Sequence, residues 1–363
     1  LPAPIRTATG LLTHVQVARR CEAGRLKTPG TLLLTPVPSL FQVSGFSERA
    51  FGQLAKLLRG LDIEPVQTLA AAPPTSARVP TMQPGSAVGV ELLTGDMEIA
   101  GTGTLTYVDG QRFLAFGHPM AQLGEVCLPL TAAYVQGVLP SYQAPFKFAS
   151  QIAPIGTLTT DRLWAVGGVF GPRAPMISVT LRIVDASRGY GRTYHLRAIQ
   201  HRFLTPAVLA QALMAGVNSA VPAGADTTAR VHFRIQPHGH APIDIDHMMT
   251  GGGIDSAISL QLGEIVGQLA GNEYGPLTLD GIEVEARLTP GRRLASIERI
   301  YIPRASYRRG DSIDLHVVLH PYGGTPFEQV VAVPVPPDMD KGPIAIGACA
   351  GNDEHAHDPR PTR

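Results

Sequence analysis

Cysteine is scarce in this chain. Cys21, Cys127 and Cys349 are the only three in 363 residues. An odd count at wide spacing gives neither a zinc-ligand pattern nor a disulfide framework, although one pair bridging in an oxidising compartment stays open. No run of about 18 apolar residues is present, so the visible chain has no membrane-spanning helix. No secretory leader pattern is visible either. Charge is low as well: 16% of residues are charged and the net charge is +1. That balance offers no electrostatic case for nucleic acid or an anionic membrane as partner. Lysine is nearly missing, with only Lys27, Lys56, Lys147 and Lys341 among the 30 basic residues, a bias that fits a GC-rich genome. No phosphate loop and no dinucleotide fingerprint occurs. The glycines at 251–253 read as a turn, with anion binding at the following helix as the alternative.

Turn formers are abundant, with 39 glycines and 32 prolines. Together with the length, they point to a mainly β protein with some α, of two or three domains. Residues 1–69 form a leading segment, with a strand-like run from Thr31 to Pro38. Its helix runs from Ser47 as N-cap to Gly60 as C-cap, with Phe51, Leu54, Leu57 and Leu58 on one face. Residues 70–80 read as a linker. Residues 81–190 are short strands with glycine and proline punctuation. The candidates there are 86–93, 97–100, 103–108, 111–116, 131–139, 164–170 and 176–184. Residues 191–290 read as an α+β accessory region, with a helix entered at Thr205-Pro206 and another over 253–269 with Asp255 as a possible cap. Residues 291–347 carry three strand patterns, and 348–363 read as a polar disordered tail.

The most informative stretch is 101–120. Gly103 to Val108 alternates like a strand, Asp109-Gly110 is a two-residue hairpin signal, and Gln111 to Phe116 returns. The hairpin delivers His118 between Gly117 and Pro119, where proline ends the ladder. A titratable side chain on a rigid corner suits a catalytic base, and a surface histidine in a turn is the plain alternative.

The run Gly-Thr-Leu-Thr, then Asp-Gly, then Leu-Ala-Phe-Gly-His-Pro resembles the histidine motif of the SpoIVB-type serine peptidases. The likeness extends upstream through 84–96 and downstream through Leu128-Pro129-Leu130, the Lys147 region and 156–162, and covers roughly residues 80–180. It implies a portion of a chymotrypsin-like double barrel in which His118 is the general base. It also implies an exported or cell-envelope setting, and the last region looks similar to immunoglobulin-like modules that follow such domains. The family also carries a Gly-Met-Ser-Gly-Ser-Pro-like nucleophile motif, and no Gly-x-Ser-Gly string occurs here. The nearest string, around Ser44-Gly45, reads better as a helix entry. The chain opens at Leu1 in the middle of what reads as structure. The expectation is therefore a fragment cut downstream of the nucleophilic serine, with a barrel that has lost its chemistry as the alternative.

Other candidate residues divide between chemical and structural roles. Asp96 could orient His118, or bond its own turn. Asp161 carries the same ambiguity, with an expected ion pair to Arg162. Thr104 and Thr106 share a strand face and could line a cleft or merely pack. Ser86 lacks the glycines of an oxyanion hole. His238 and His240, at i and i+2 of an expected strand, could form a metal site with Asp244, Asp246 and His247, although without the helical pattern of zinc proteases. His355 and His357 in the tail read as solvated. The expected activity is peptide hydrolysis through an acyl-enzyme, a reaction that needs no metal or organic cofactor, acting on a polypeptide. The alternatives are a noncatalytic module holding a polypeptide partner by edge-strand pairing, and a hydrolase using His238, His240 and His247 as metal ligands.

Overall fold

The computed structural model describes residues 3–349 apart from 8, 9, 18–29, 35–37, 70, 71, 141–145, 223 and 276. Cys21 and the tail with His355 and His357 lie outside the described residues. Two short ladders open the chain. β1 (Ile5–Thr7) pairs antiparallel with β2 (Gly10–Leu12), and β3 (His14–Val17) pairs parallel with β4 (Thr31–Leu34). β5 (Ser39–Ser44), α1 (Glu48–Arg59) and β6 (Ile63–Gln67) then form a crossover with β5 and β6 parallel. The Ser47 hydroxyl caps α1 by accepting from the Ala50 amide. Glu48 in the first turn and Lys56 and Arg59 in the last complement the helix dipole, and Leu54 and Leu58 are buried.

Six strands follow: β7 (Ala87–Gly95), β8 (Glu98–Asp109), β9 (Arg112–Ala115), β10 (Gly124–Leu139), β11 (Phe146–Arg162) and β12 (Ala165–Phe170). Their pairings run β7–β10–β11–β12–β9–β8 and return to β7, all antiparallel, so the ring closes on itself. Val88, Val90, Leu105, Phe113, Leu130, Leu158 and Val166 contribute to one buried cluster. Past the ring, β10 and β11 continue as a two-stranded ribbon from the pair Ala133–Gln151 to the pair Leu139–Phe146. The ribbon is tied down from β5. The Gln42 amide donates to the Ala149 carbonyl at 2.7 Å and accepts from the Ala149 amide at 2.9 Å.

The next elements are β13 (Met176–Asp185), β14 (Tyr190–Ile199), α2 (Leu204–Ala220), β15 (Thr227–Pro237), β16 (Ile243–Gly251), α3 (Ile254–Ala270) and β17 (Leu279–Pro290). The strands order as β14–β13–β17–β15–β16, with β13 and β17 parallel. Strict alternation along β13 and β15 buries one face, on which the helices pack. β7 belongs to both halves. Val88 to Val90 pair with β10, and Leu93 to Gly95 pair with β14. Finally β18 (Ala295–Tyr301), β19 (Ser312–Pro321) and β20 (Phe327–Pro334) form a three-stranded antiparallel sheet. No helix among the described residues is long and apolar enough to cross a membrane.

Local differences from the sequence reading have physical causes. The runs expected at 97–100 and 103–108 form one strand, Glu98–Asp109, rather than two, as β8 changes partner along its length, from β5 and β7 to β9. Thr205 does not cap α2. His201 does, its Nδ1 accepting from the amides of Phe203 and Leu204, while the Thr205 hydroxyl donates to the Ile199 carbonyl. Asp255 sits in the first turn of α3, buried, and pairs with Arg49 of α1 at 3.1 Å.

Glu91 lies on β7 between its two sets of partners and is buried. Burial pushes its carboxyl up to about 7; Glu98 adds to the rise, and Thr94 and Arg197 oppose it. Glu98 is likewise raised by burial. The unfolded chain gives up the Glu91 proton near the ordinary value of 4.5, before the folded chain does. Stability therefore falls as pH rises between those two values, by up to about 3 kcal/mol. Glu91→Gln removes this term. Denaturant titration is expected to show the variant more stable than the native chain at pH 8.5, with the gain vanishing below the ordinary value of 4.5.

Candidate functional site

His118 sits where β9 leaves the ring. The corner is conformationally unusual, since Phe116 (φ 72°) and Gly117 (φ 75°) both lie in the left-handed region. For Phe116 that conformation costs on the order of 1–3 kcal/mol and survives only if its surroundings enforce it. They do. The Phe116 amide donates to the Thr104 carbonyl at 2.9 Å. Its ring lies over Gly103, where a Cβ would come within 2.0 Å of a ring carbon. Glycine at 103 is thus required by a close approach rather than by a turn. The rings of Phe116 and His118 are 5.8 Å apart.

The far side of the corner hangs on one carboxylate. Asp161, at the end of β11 and 1% exposed, accepts from the amides of Met120 and Ala121 at 2.8 Å and Leu123 at 3.1 Å. Three amides that no ladder serves are satisfied by charge-assisted bonds. The Met120 side chain anchors the same loop in the core. The expected ion pair between Asp161 and Arg162 does not form; the carboxylate is turned inward, to the loop.

The imidazole itself is exposed. Its Nδ1 lies 2.7 Å from the Pro119 carbonyl. A carbonyl only accepts, so Nδ1 carries the hydrogen, and in the neutral ring Nε2 is then the acceptor nitrogen. The Pro119 carbonyl is fixed in turn by the buried Ser39 hydroxyl of β5, at 3.0 Å. Ser39 is the serine tied to this corner, but its hydrogen goes to that carbonyl and it faces the Nδ1 side, so it is no nucleophile for Nε2. The arrangement can take a proton at Nε2 and hand it on, with a backbone carbonyl where a triad would place an acid.

The other candidates separate. Asp96 is not at the histidine. Its carboxylate accepts from the His195 amide at 2.7 Å and extends the pairing of β7 with β14. The hydroxyl of Thr104 faces the ribbon and accepts from the Lys147 ammonium, whereas Thr106 is exposed. Ser86 serves the turn before β7, accepting from the Gln83 amide. The His238–His240 segment is a turn rather than a strand, with Gly239 at φ 71°. His238 instead pairs with Asp280 at 3.0 Å. Asp244 and Asp246 share a strand face with His232, 3.2 and 2.9 Å from its two ring nitrogens, and Asp246 chiefly raises its pKa. His247 projects to the opposite face of β16 from those acids. Among the described residues no group of three or more His, Cys, Asp or Glu is placed to hold a metal ion. Cys127 and Cys349 are free and exposed.

Sequence reasoning singled out His118 but not the contacts that hold its corner. Ser39 lies 80 positions before Pro119, whose carbonyl it holds, and carries no motif. Asp161 was visible only as an acid in a Thr-Thr-Asp-Arg string. The chain matches no protein-family model, no curated protein and no solved structure.

Removing the Asp161 clamp leaves buried amides without acceptors. Asp161→Ala is expected to cost about 3 kcal/mol in denaturant titration, with Asp161→Asn, which keeps one acceptor oxygen, costing less. Gly103→Ala is expected to displace the Phe116 ring. The His118 resonances in an NMR spectrum should then shift, while far-UV circular dichroism stays native.

Proposed function

We propose that this chain carries the general base of a serine endopeptidase of the SpoIVB type, and that the nucleophilic serine comes from a segment outside these 363 residues. The observation that supports this best is the geometry of His118: an exposed imidazole with Nδ1 committed to the Pro119 carbonyl, no partner at Nε2 among the described residues, and a corner clamped by Asp161. The closed ring of six antiparallel strands fits one barrel of a chymotrypsin-like pair, in which serine and histidine come from different barrels. On this reading Nε2 takes the proton from the serine hydroxyl as it attacks the peptide carbonyl, and gives it to the departing amine. The setting is extracytoplasmic, and the C-terminal strands act as an immunoglobulin-like module. A noncatalytic polypeptide-binding module is the second reading. It is favoured by β20, an edge strand exposed along nearly its whole length.

The test is labelling with a fluorophosphonate that reacts with activated serines. The 363-residue chain is expected to stay unlabelled. The chain extended upstream from its native gene is expected to label, and to lose at least about 99% of the labelling rate with His118→Ala, in line with the cost of removing a triad member. A folded extended chain that does not label, or labels equally with His118→Ala, gives the binding-module reading precedence.

A further inference from the structure

The ribbon of β10 and β11 lies against β8 through a layer that holds one cation and several polar side chains. Lys147, Ala149 and Gln151 share one face of β11, and Thr102 and Thr104 share one face of β8. The Gln42–Ala149 bonds and the contact of the Lys147 ammonium with the Thr104 hydroxyl bring those faces together. Lys147 is half-buried, and among the described residues that hydroxyl is its one polar partner. No acid pairs with it among the described residues, whereas many of the cations on the open face of the second sheet do have acids. Arg182 meets Glu285, Arg234 meets Asp244, and His232 meets both Asp244 and Asp246. Deeper in the layer two more polar atoms lack partners: the Thr102 hydroxyl and the Gln151 amide nitrogen, whose carbonyl oxygen is taken by Thr131. A cation withdrawn from water without a counter-ion is costly. The uncompensated charge of Lys147 itself makes the local potential positive.

The site also has an address. Thr104, whose hydroxyl meets Lys147, holds the Phe116 amide through its carbonyl, two residues before His118. We infer that Lys147 and the Thr104 hydroxyl form a carboxylate-binding subsite beside the His118 corner. It anchors a polypeptide by an acidic side chain or by its C-terminal carboxylate. The inference rests on the reading of His118 as a site that receives polypeptide, and it names the chemistry by which the polypeptide is selected. Lysine suits this role as a compact charge that can leave a neutral hydroxyl for an anion at little cost.

The test uses the whole chain and three fluorescein-labelled peptides of one apolar sequence, followed by fluorescence anisotropy at low salt. One peptide is amidated and has no acid, one is amidated with a single internal glutamate, and one has a free C-terminal carboxylate and no other acid. At least one carboxylate peptide is expected to bind about tenfold more tightly than the neutral peptide. That preference should shrink as salt is raised. Lys147→Gln should abolish the preference and Lys147→Arg should keep most of it, with thermal unfolding confirming that both variants fold. Whichever carboxylate peptide carries the preference identifies the source. Equal binding of all three peptides, no binding of any, or a preference unchanged in Lys147→Gln overturns the subsite. Fluorophosphonate labelling of the extended chain is scored separately. Labelling without carboxylate preference removes the subsite alone, and preference without labelling removes the peptidase reading alone.

Discussion

The architecture depends on one strand having two sets of partners. β7 closes the ring against β8 and β10 through its first half, then turns its last three residues to β14 and so begins the second sheet. A β-bulge lies between Glu91 and Leu93 in the pairing with β8. Such an irregularity bends a strand and increases its twist, and here it coincides with the change of partner. The conflict is concentrated on Glu91, a carboxylate trapped at the bend with a second acid and one arginine in its field. A fold that passes one strand through two sheets has little freedom to exclude what the bend carries inward.

The histidine corner draws on both ends of the chain's first half. β5 supplies Ser39, β8 supplies Gly103 and the Thr104 carbonyl, and β11 supplies Asp161. The hydrogen bonds fix backbone rather than imidazole, except for the single bond from Nδ1 to Pro119, and the Phe116 ring seated over Gly103 lies beside the imidazole. The base is therefore positioned by the path of the chain around it. A carbonyl, unlike a carboxylate, adds no full negative charge opposite the imidazolium that forms when Nε2 takes a proton.

Local signals in the sequence were legible. The hairpin at Asp109-Gly110, the helix from Ser47 to Gly60, and the strands expected at 86–93, 164–170 and 176–184 follow from turn chemistry and periodicity, and the chain forms them to within a residue or two. The 17-residue strand β11 was not legible. It contains Pro154 and Gly156, and its pairing shifts register several times, so neither alternation nor length announces it. The accessory histidines failed for the opposite reason. A His-Gly-His string looks like a ligand pair, but Gly239 takes a left-handed conformation and turns the chain between them. Long-range partners such as Ser39 and Gln42 leave no local trace. Their roles exist only after β5 has found β8.

Gln42 shows what such a partner does. Its side-chain amide offers Ala149 the same donor and acceptor that a neighbouring peptide unit would offer. A single residue thereby occupies a place on the outer margin of a ribbon that has no further strand beside it among the described residues. Exposed margins of this kind recruit other chains. While β5 is unplaced during folding, that place on β11 is open to any extended polypeptide, including another copy of the same chain. The order in which β5 and the ribbon are laid down thus bears on whether the protein is made in soluble form, and not only on how stable it is once made.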